Sequence, residues 1–443
     1  MSAHRNRTVV TAFAIALAAP LAAAGLTPAA AGEMDYGATN YERVGYFTQW
    51  GIYGADFRIK DVVANGTAGR LTVLNYAFGN VSADGECFEA AEPGQGDPWA
   101  DYQVSFLAEQ SVDGVADAPG QALAGNFNQI RKLKALYPGL RTQISLGGWT
   151  WSKHFSDAAL TPESRRRFVR SCVDLYLRGN LPRLGADPHG GPGAGVGVFD
   201  GIDLDWEWPA SPGNVGNIVR PGDKRNFTLL LAEFRKQLDE QGRADHRWYS
   251  LTAFLPAAPD LIDRGLEVPK ISRYLDFAHL QGYDLHGTWE STTNHQSALF
   301  SPAGDPSPER LSVDQTVRAY LDRGMPRGKM VIGAPFYGRG WTGVADQNNG
   351  LFQPAAGPAP GTFAAGFEDH KRLAALAGFT LHRDQEAGFA WLFNGTTFWT
   401  FDDPLVMRQK AAYVKRHHLG GVMAWSLDAD DGSLMAALHD GLR

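Results

Sequence analysis

Eight short apolar runs punctuate the chain: Arg43–Thr48, Leu71–Phe78, Thr142–Leu146, Val198–Asp205, Ser250–Leu255, Phe277–Gln281, Met330–Ala334 and Val422–Trp425. Several are almost continuously apolar, which is the pattern of parallel strands buried on both faces. Between them lie amphipathic stretches such as Phe127–Tyr137, Pro162–Leu177 and Arg225–Gln241. Strand candidates that alternate with helices in this way predict an α/β fold, a closed (β/α)8 TIM barrel. An open doubly wound sheet would share the alternation. No glycine fingerprint for a dinucleotide follows the first run, which counts against it.

The spacing of the runs is uneven, and the long gaps locate insertions. The second and third strands are separated by a stretch that holds Gly94–Asp101 and the acidic region near Asp113. Gly185–Gly197, rich in Gly and Pro, reads as a loop before the fourth strand. From about Arg339 to Gly420 the chain is too long for one crossover helix, and it carries the aromatic run Phe389–Phe401. A small α+β insertion domain between strand 7 and strand 8 is expected there. The division is then a barrel of 41–340 and 403–443 interrupted by an insertion at 341–402. There is no repeat and no Ser/Thr-rich linker.

The N-terminus is patterned differently. Arg5 and Arg7 precede the apolar stretch Val9–Leu26, and Ala29-Ala30-Ala31 supplies small residues for cleavage. This reads as an export signal over 1–31, with a secreted, extracellular product that has no membrane contact after cleavage. A membrane anchor would begin similarly, but Pro20 and the Ala-rich composition make a poor span. Because Arg5 and Arg7 are not adjacent, the twin-arginine route is not indicated.

Composition narrows the chemistry. The chain has 443 residues, 44% hydrophobic and 20% charged, enough for one barrel with an insertion. Its net charge of −7, without a basic block, argues against nucleic-acid binding. Twelve Trp, 14 Tyr and 24 Phe are more suggestive, since flat rings are platforms for the apolar faces of sugars. The 12 His show no ligand spacing with Cys or carboxylates, so neither a metal nor another cofactor is indicated. Cys87 and Cys172 could pair in an oxidising compartment or could be two small buried residues; sequence leaves both open.

The segment that carries chemistry is Phe199-Asp200-Gly201-Ile202-Asp203-Leu204-Asp205-Trp206-Glu207-Trp208-Pro209. Alternate side chains of a strand share a face, so Asp203, Asp205 and Glu207 point the same way. In a barrel that way is into the lumen, toward the C-terminal end where such folds place their sites. Three carboxyl groups in a row are too costly to serve as a packing device. Shared protons and hydrogen bonds make the row tolerable and split the pKa values, as general acid catalysis requires.

This stretch resembles the DxxDxDxE signature of glycoside hydrolase family 18, the chitinases and their relatives. Ser145-Leu146-Gly147-Gly148 is similar to the SxGG motif of that family's third strand, and Gly45-Tyr46-Phe47-Thr48-Gln49-Trp50 to its aromatic first strand. Gln281-Gly282-Tyr283-Asp284 resembles the sixth-strand motif, with Gln-Gly where many relatives have Met-Thr or Met-Ser. Tyr337-Gly338-Arg339-Gly340-Trp341 and Phe401-Asp402-Asp403-Pro404 resemble the two junctions of the family's insertion domain.

The resemblance implies roles. Glu207 would be the acid/base, Asp205 would orient the substrate acetamide, Asp203 would be its proton-sharing neighbour, and the Tyr283 hydroxyl would bond the acetamide. Trp425 would floor the cleavage subsite. Tyr46, Trp50, Trp149, Gln281, Asp284, Trp289 and Arg339 would line the groove, with Gln281 able to hydrogen-bond a sugar. Asp200, of opposite parity, would support the strand end, and His154 and His286 would be satisfied structural residues. Strand geometry separates Asp205 and Glu207 by about 7 Å, which does not by itself distinguish retention from inversion. The implied activity is hydrolysis of β-1,4 bonds between N-acetylglucosamine units of chitin or its oligosaccharides, with retention, by a monomer. An endo-β-N-acetylglucosaminidase acting on glycoprotein glycans, or a chitin-binding lectin, would share the fold. The intact Glu207 argues against the lectin, and the insertion with its rim aromatics favours a linear polymer.

Overall fold

The computed structural model describes residues 41–443. The export signal expected over 1–31 lies outside the described residues.

Eight parallel strands close on themselves: β1 (Glu42–Thr48), β2 (Val73–Val81), β3 (Arg141–Gly147), β4 (Gly201–Asp205), β5 (Ser250–Leu255), β6 (Phe277–Leu280), β7 (Met330–Pro335) and β8 (Gly421–Trp425). Each pairs with its sequence neighbour, and β8 returns to β1, which leaves no open edge among them. Every expected strand is present, with shifted ends. The fourth begins at Gly201 instead of Val198 because the backbone before it is committed elsewhere: the Val198 carbonyl accepts from the Thr142 hydroxyl, and Lys134 Nζ reaches the Gly197 carbonyl at 2.8 Å.

Period-two patterning sets the layers. Ile144, Leu146, Ile202 and Leu204 point outward into the large core, with Phe127, Phe168 and Phe234 from the surrounding helices. Those helices have identifiable starts. Thr161 caps Pro162–Cys172 by accepting from Ser164 N at 3.1 Å, with Pro at the first helical position. Asp403 caps Pro404–His417 through Leu405 N and Val406 N at 2.9 and 3.0 Å. The intervening residues Tyr46, Asp203, Thr252 and His279 turn inward, where an apolar interior would be the simpler filling.

A six-stranded antiparallel sheet lies in the chain between β7 and β8. It is built from Tyr337–Thr342, Gly357–Pro358, Phe367–Asp369, Thr380–Asp384, Phe389–Phe393 and Thr397–Phe401. Trp341, Phe389, Trp391, Phe393 and Phe398 form its own apolar cluster, which accounts for the aromatic density of that stretch. Phe401 leads back to the barrel through Asp402, whose carboxylate takes Lys410 Nζ and, at 2.7 Å, the Ser297 hydroxyl in full burial.

Cys87 and Cys172 are joined by a disulfide. It fastens the two-residue strand that follows β2 to the end of helix Pro162–Cys172. Among the described residues no helix is long and apolar enough to cross a membrane.

Candidate functional site

The carboxyl-terminal ends of the barrel strands open into a groove of about 920 Å³. β4 brings its carboxyl groups to the base of that groove, and the anchoring is legible residue by residue. At the far end of the strand, Asp200 accepts from Lys134 Nζ at 2.7 Å, from Thr142 N at 3.0 Å and from Arg247, so it ties the strand base and stays out of the groove. At the near end, Trp206 points outward and stacks on Phe155 at 5.5 Å. Gly147 of β3 sits at φ +106°, where a Cβ would lie 2.4 Å from the Asp205 carbonyl. Only glycine permits that approach of the two strands.

Asp203 is fully buried and fully engaged. Its Oδ2 accepts from Tyr46 Oη at 2.6 Å and Ser145 Oγ at 2.8 Å, and its Oδ1 from Thr252 Oγ1 at 2.6 Å. His279 Nδ1 stands 3.3 Å from Oδ1. Burial alone would raise this carboxyl, but His279 and the hydroxyl donors outweigh it and hold Asp203 below the usual carboxylate range.

Asp205 is the opposite case. Its Oδ1 is buried without a hydrogen-bond partner. Burial, then repulsion from Glu207 and Asp203, pushes it well above the ordinary range. Glu207, partly open to the groove, is pushed up to about 8 by burial and by Asp284. The backbone around Glu207 is fixed: its N–H donates to Ser152 Oγ at 2.8 Å and its carbonyl accepts from Asn217 Nδ2 at 2.9 Å. Along the row, the proton affinity is thus lowest at Asp203 and raised at Asp205 and Glu207.

The remaining candidates gather around these two groups. Tyr283 is buried, its ring stacked on Phe254 at 5.9 Å. Asp284 accepts from Tyr337 Oη at 2.7 Å and receives Arg339 through Nε at 2.8 Å and Nη2 at 2.6 Å. The Arg339 guanidinium lies over Trp289 at 5.5 Å. Trp425 lines the groove between Phe78, stacked at 5.5 Å, and Tyr46 at 5.3 Å. Trp50, Trp149 and Trp289 stand on the rim, 46%, 51% and 60% exposed. Gln281 also lines the groove; its Oε1 accepts from Ala257 N at 3.1 Å, which directs the amide NH₂ away from that contact.

Tyr46 and Asp203 alone among the candidates are not groove-lining residues; they lie beneath it, joined by their hydrogen bond. His286 is only half satisfied: Nδ1 meets both Glu290 oxygens at 3.0 Å, while Nε2 is buried without a partner. Sequence reasoning missed Phe78, Trp208, Phe254 and Phe367, which also line the groove. Each sits within or just after a strand as an ordinary apolar residue, so its pattern is that of core. It also missed His279, which faces Asp203 from β6, two strands away around the barrel. Trp151 was passed over too; its Nε1 donates to the Gly94 carbonyl at 2.9 Å and draws the long β2–β3 connection to the groove wall.

A closed parallel barrel that gathers carboxyl groups beneath an open aromatic groove is the architecture of the barrel glycosidases. The chain belongs to the glycosyl hydrolases family 18, whose model matches residues 42–430. It is 34% identical to chitinase A1 of Niallia circulans over 441 residues, 91% of this chain and 58% of that protein. It is 36% identical to chitinase C of Streptomyces lividans over 395 residues, 88% of this chain and 57% of that protein. The chain thus spans a little over half the length of these relatives. The catalytic domain of a psychrophilic chitinase B from Arthrobacter TAD20 superposes with a TM-score of 0.88 at 45% identity, covering 91% of this chain and 96% of that one.

The two inner aspartates should respond oppositely to substitution. Asp203→Ala leaves three buried hydroxyls and His279 without their acceptor and should lower stability by about 3 kcal/mol or more. Asp205→Asn removes a buried carboxyl that no protein group satisfies and should be neutral or stabilising. Urea denaturation of both variants checks this, and an Asp203→Ala protein as stable as the parent would contradict the account of the acidic row.

Proposed function

We propose that the chain is a secreted chitinase that hydrolyses β-1,4 bonds between N-acetylglucosamine units with retention, the substrate's own acetamide acting as nucleophile. One observation carries the reading above the others: Asp205, with an oxygen that no protein group satisfies, lies beside a Glu207 that burial keeps protonated at neutral pH. An acid poised to donate next to an unfilled acceptor suits a substrate that brings both a leaving oxygen and an amide.

In this mechanism Glu207 gives its proton to the glycosidic oxygen as the bond to the anomeric carbon breaks. The acetamide carbonyl oxygen of the same sugar forms the new bond, producing an oxazolinium ion and leaving Glu207 ionised. Asp205 takes the amide N–H on its free oxygen, and Tyr283 donates to the acetamide. A water molecule then gives a proton to Glu207 and its oxygen to the anomeric carbon, reopening the ring with net retention. Fixing the acetamide beforehand makes the attack intramolecular, where orientation alone lowers barriers by several kcal/mol.

Trp425 supports the sugar that reacts. Trp50, Trp149 and Trp289 carry outer units, and Gln281, Asp284 and Arg339 form the polar wall. Residues 341–402 serve as the insertion domain that deepens the groove within the barrel of 41–340 and 403–443. The resulting enzyme takes chitin or its oligosaccharides, needs no cofactor for the reaction, acts outside the cell after loss of residues 1–31, and works as a monomer.

Glu207→Gln keeps the shape of the acid but cannot donate its proton. It should lower kcat by about 10²-fold or more while oligosaccharide binding persists. Steady-state kinetics and calorimetric binding on one preparation decide it: retention of more than about a tenth of parental kcat would remove Glu207 from its role.

The pH profile tests the same group independently. The donating form of Glu207 persists up to about 8 because burial and Asp284 disfavour its anion. The rate should therefore hold at neutral pH and fall as pH rises through that region. Asp284→Asn removes the repulsion and frees the Arg339 cation nearby. Both changes favour the anion, so the alkaline limb should move to lower pH. An unmoved or upward-shifted limb would contradict the assignment.

A further inference from the structure

Outside the groove, a second group of convergent side chains stands where the antiparallel sheet meets the end of β8. His370 opens the short helix His370–Leu373 that follows the strand Phe367–Asp369. Asp430 and Asp431 lie in the loop between β8 and helix Ser433–Leu442. His370 is 2% exposed, and neither of its ring nitrogens has a hydrogen-bond partner. Leaving even one such atom unsatisfied costs about 1–3 kcal/mol.

What faces that imidazole is acidic. His370 Nδ1 is 3.8 Å from Asp430 Oδ1, too far for a hydrogen bond. Ligand-type atoms of His370, Asp430 and Asp431 all lie within 4.8 Å of one another. The 3.8 Å gap between His370 and Asp430 is one that an ion about 2.1 Å from each donor would span, and a small shift of the exposed Asp431 side chain completes the set. Both carboxylates are already oriented by backbone N–H groups: Asp430 accepts from Leu434 N and Met435 N at 3.2 and 3.1 Å, and Asp431 from Ser433 N at 3.0 Å. The nearby cations are engaged elsewhere, Lys371 with the Asp428 carbonyl and Arg372 with Glu368 and Asp369.

We propose that His370, Asp430 and Asp431 bind a divalent transition-metal ion of the zinc class, which ties the antiparallel sheet to the C-terminal segment of the barrel. One imidazole and two carboxylates provide three donors, and the exposed Asp431 leaves a side open for water as the fourth. A second convergent trio, His286, His295 and Asp305, does not qualify. There Ala298 N donates to His295 Nδ1 at 3.2 Å, which places the ring proton on Nε2, the atom that faces the other two. A protonated nitrogen cannot coordinate.

The test is titration calorimetry of the metal-stripped chain with Zn²⁺, alongside thermal melts with and without the ion. One equivalent should bind at micromolar concentration and raise the melting temperature. Asp431→Ala should weaken binding by at least about tenfold while leaving chitin hydrolysis unchanged; loss of the Ser433 N–H acceptor lowers the metal-free melting temperature slightly, so the comparison is of the zinc-induced shift within each variant. His370→Gln should weaken binding in the same direction; if that variant does not fold, Asp431→Ala decides alone. Binding of less than one equivalent at millimolar zinc would overturn the proposal. So would binding undiminished by Asp431→Ala, which would put the ion on other carboxylates, those of the groove included.

Discussion

An ionised carboxylate inside a barrel is tolerable only where donors converge on it, and Asp203 is where this fold meets that condition. Tyr46 from β1, Ser145 from β3, Thr252 from β5 and His279 from β6 all direct polar atoms at one carboxyl group on β4. Half of the barrel's strands are pinned to a fifth through a single side chain. The charge settles there, and the next carboxyl along the strand, Asp205, faces both a fixed anion below it and Glu207 above it. Its high proton affinity follows from that position. The groove chemistry thus begins with a packing constraint two residues deeper in the core.

The aromatic layer depends on the same arrangement from the other side. Tyr46 donates its hydroxyl proton to Asp203 and packs its ring against Trp425, which in turn stacks on Phe78. The polar floor and the apolar bed are therefore held by a common residue. Substitutions at Tyr46 reach both the proton balance of the acidic row and the surface on which a sugar would rest. On the opposite wall, Arg339 joins Asp284 to the Trp289 ring, so the charge that disfavours the Glu207 anion is itself part of a contact that shapes the rim.

Much of this was legible in the chain because it is local. Alternation along residues 201–207 places three carboxyl groups on one face without knowledge of any other element, and the eight apolar runs announce the strands they become. What sequence could not show is long-range. Tyr46 and Asp203 are 157 residues apart, and no pattern along the chain links His279 to either. Phe78, Phe254 and Phe367 are groove residues only because their strands end at the same barrel mouth. The pairing of Cys87 with Cys172 was undecided for the same reason. So was the approach of His370 to Asp430 and Asp431, since residues some sixty positions apart display no ligand spacing.

The central claim is that no carboxylate of the enzyme attacks the sugar; the substrate's acetamide does. Sequencing the products of partially deacetylated chitosan tests it most directly. A glucosamine on the non-reducing side of the scissile bond has no acetamide oxygen, and its ammonium could bind among Asp203, Asp205 and Glu207 without reacting. The account predicts that every new reducing end is N-acetylglucosamine. Abundant glucosamine at new reducing ends would show that water or an enzyme carboxylate attacks directly, and would contradict it.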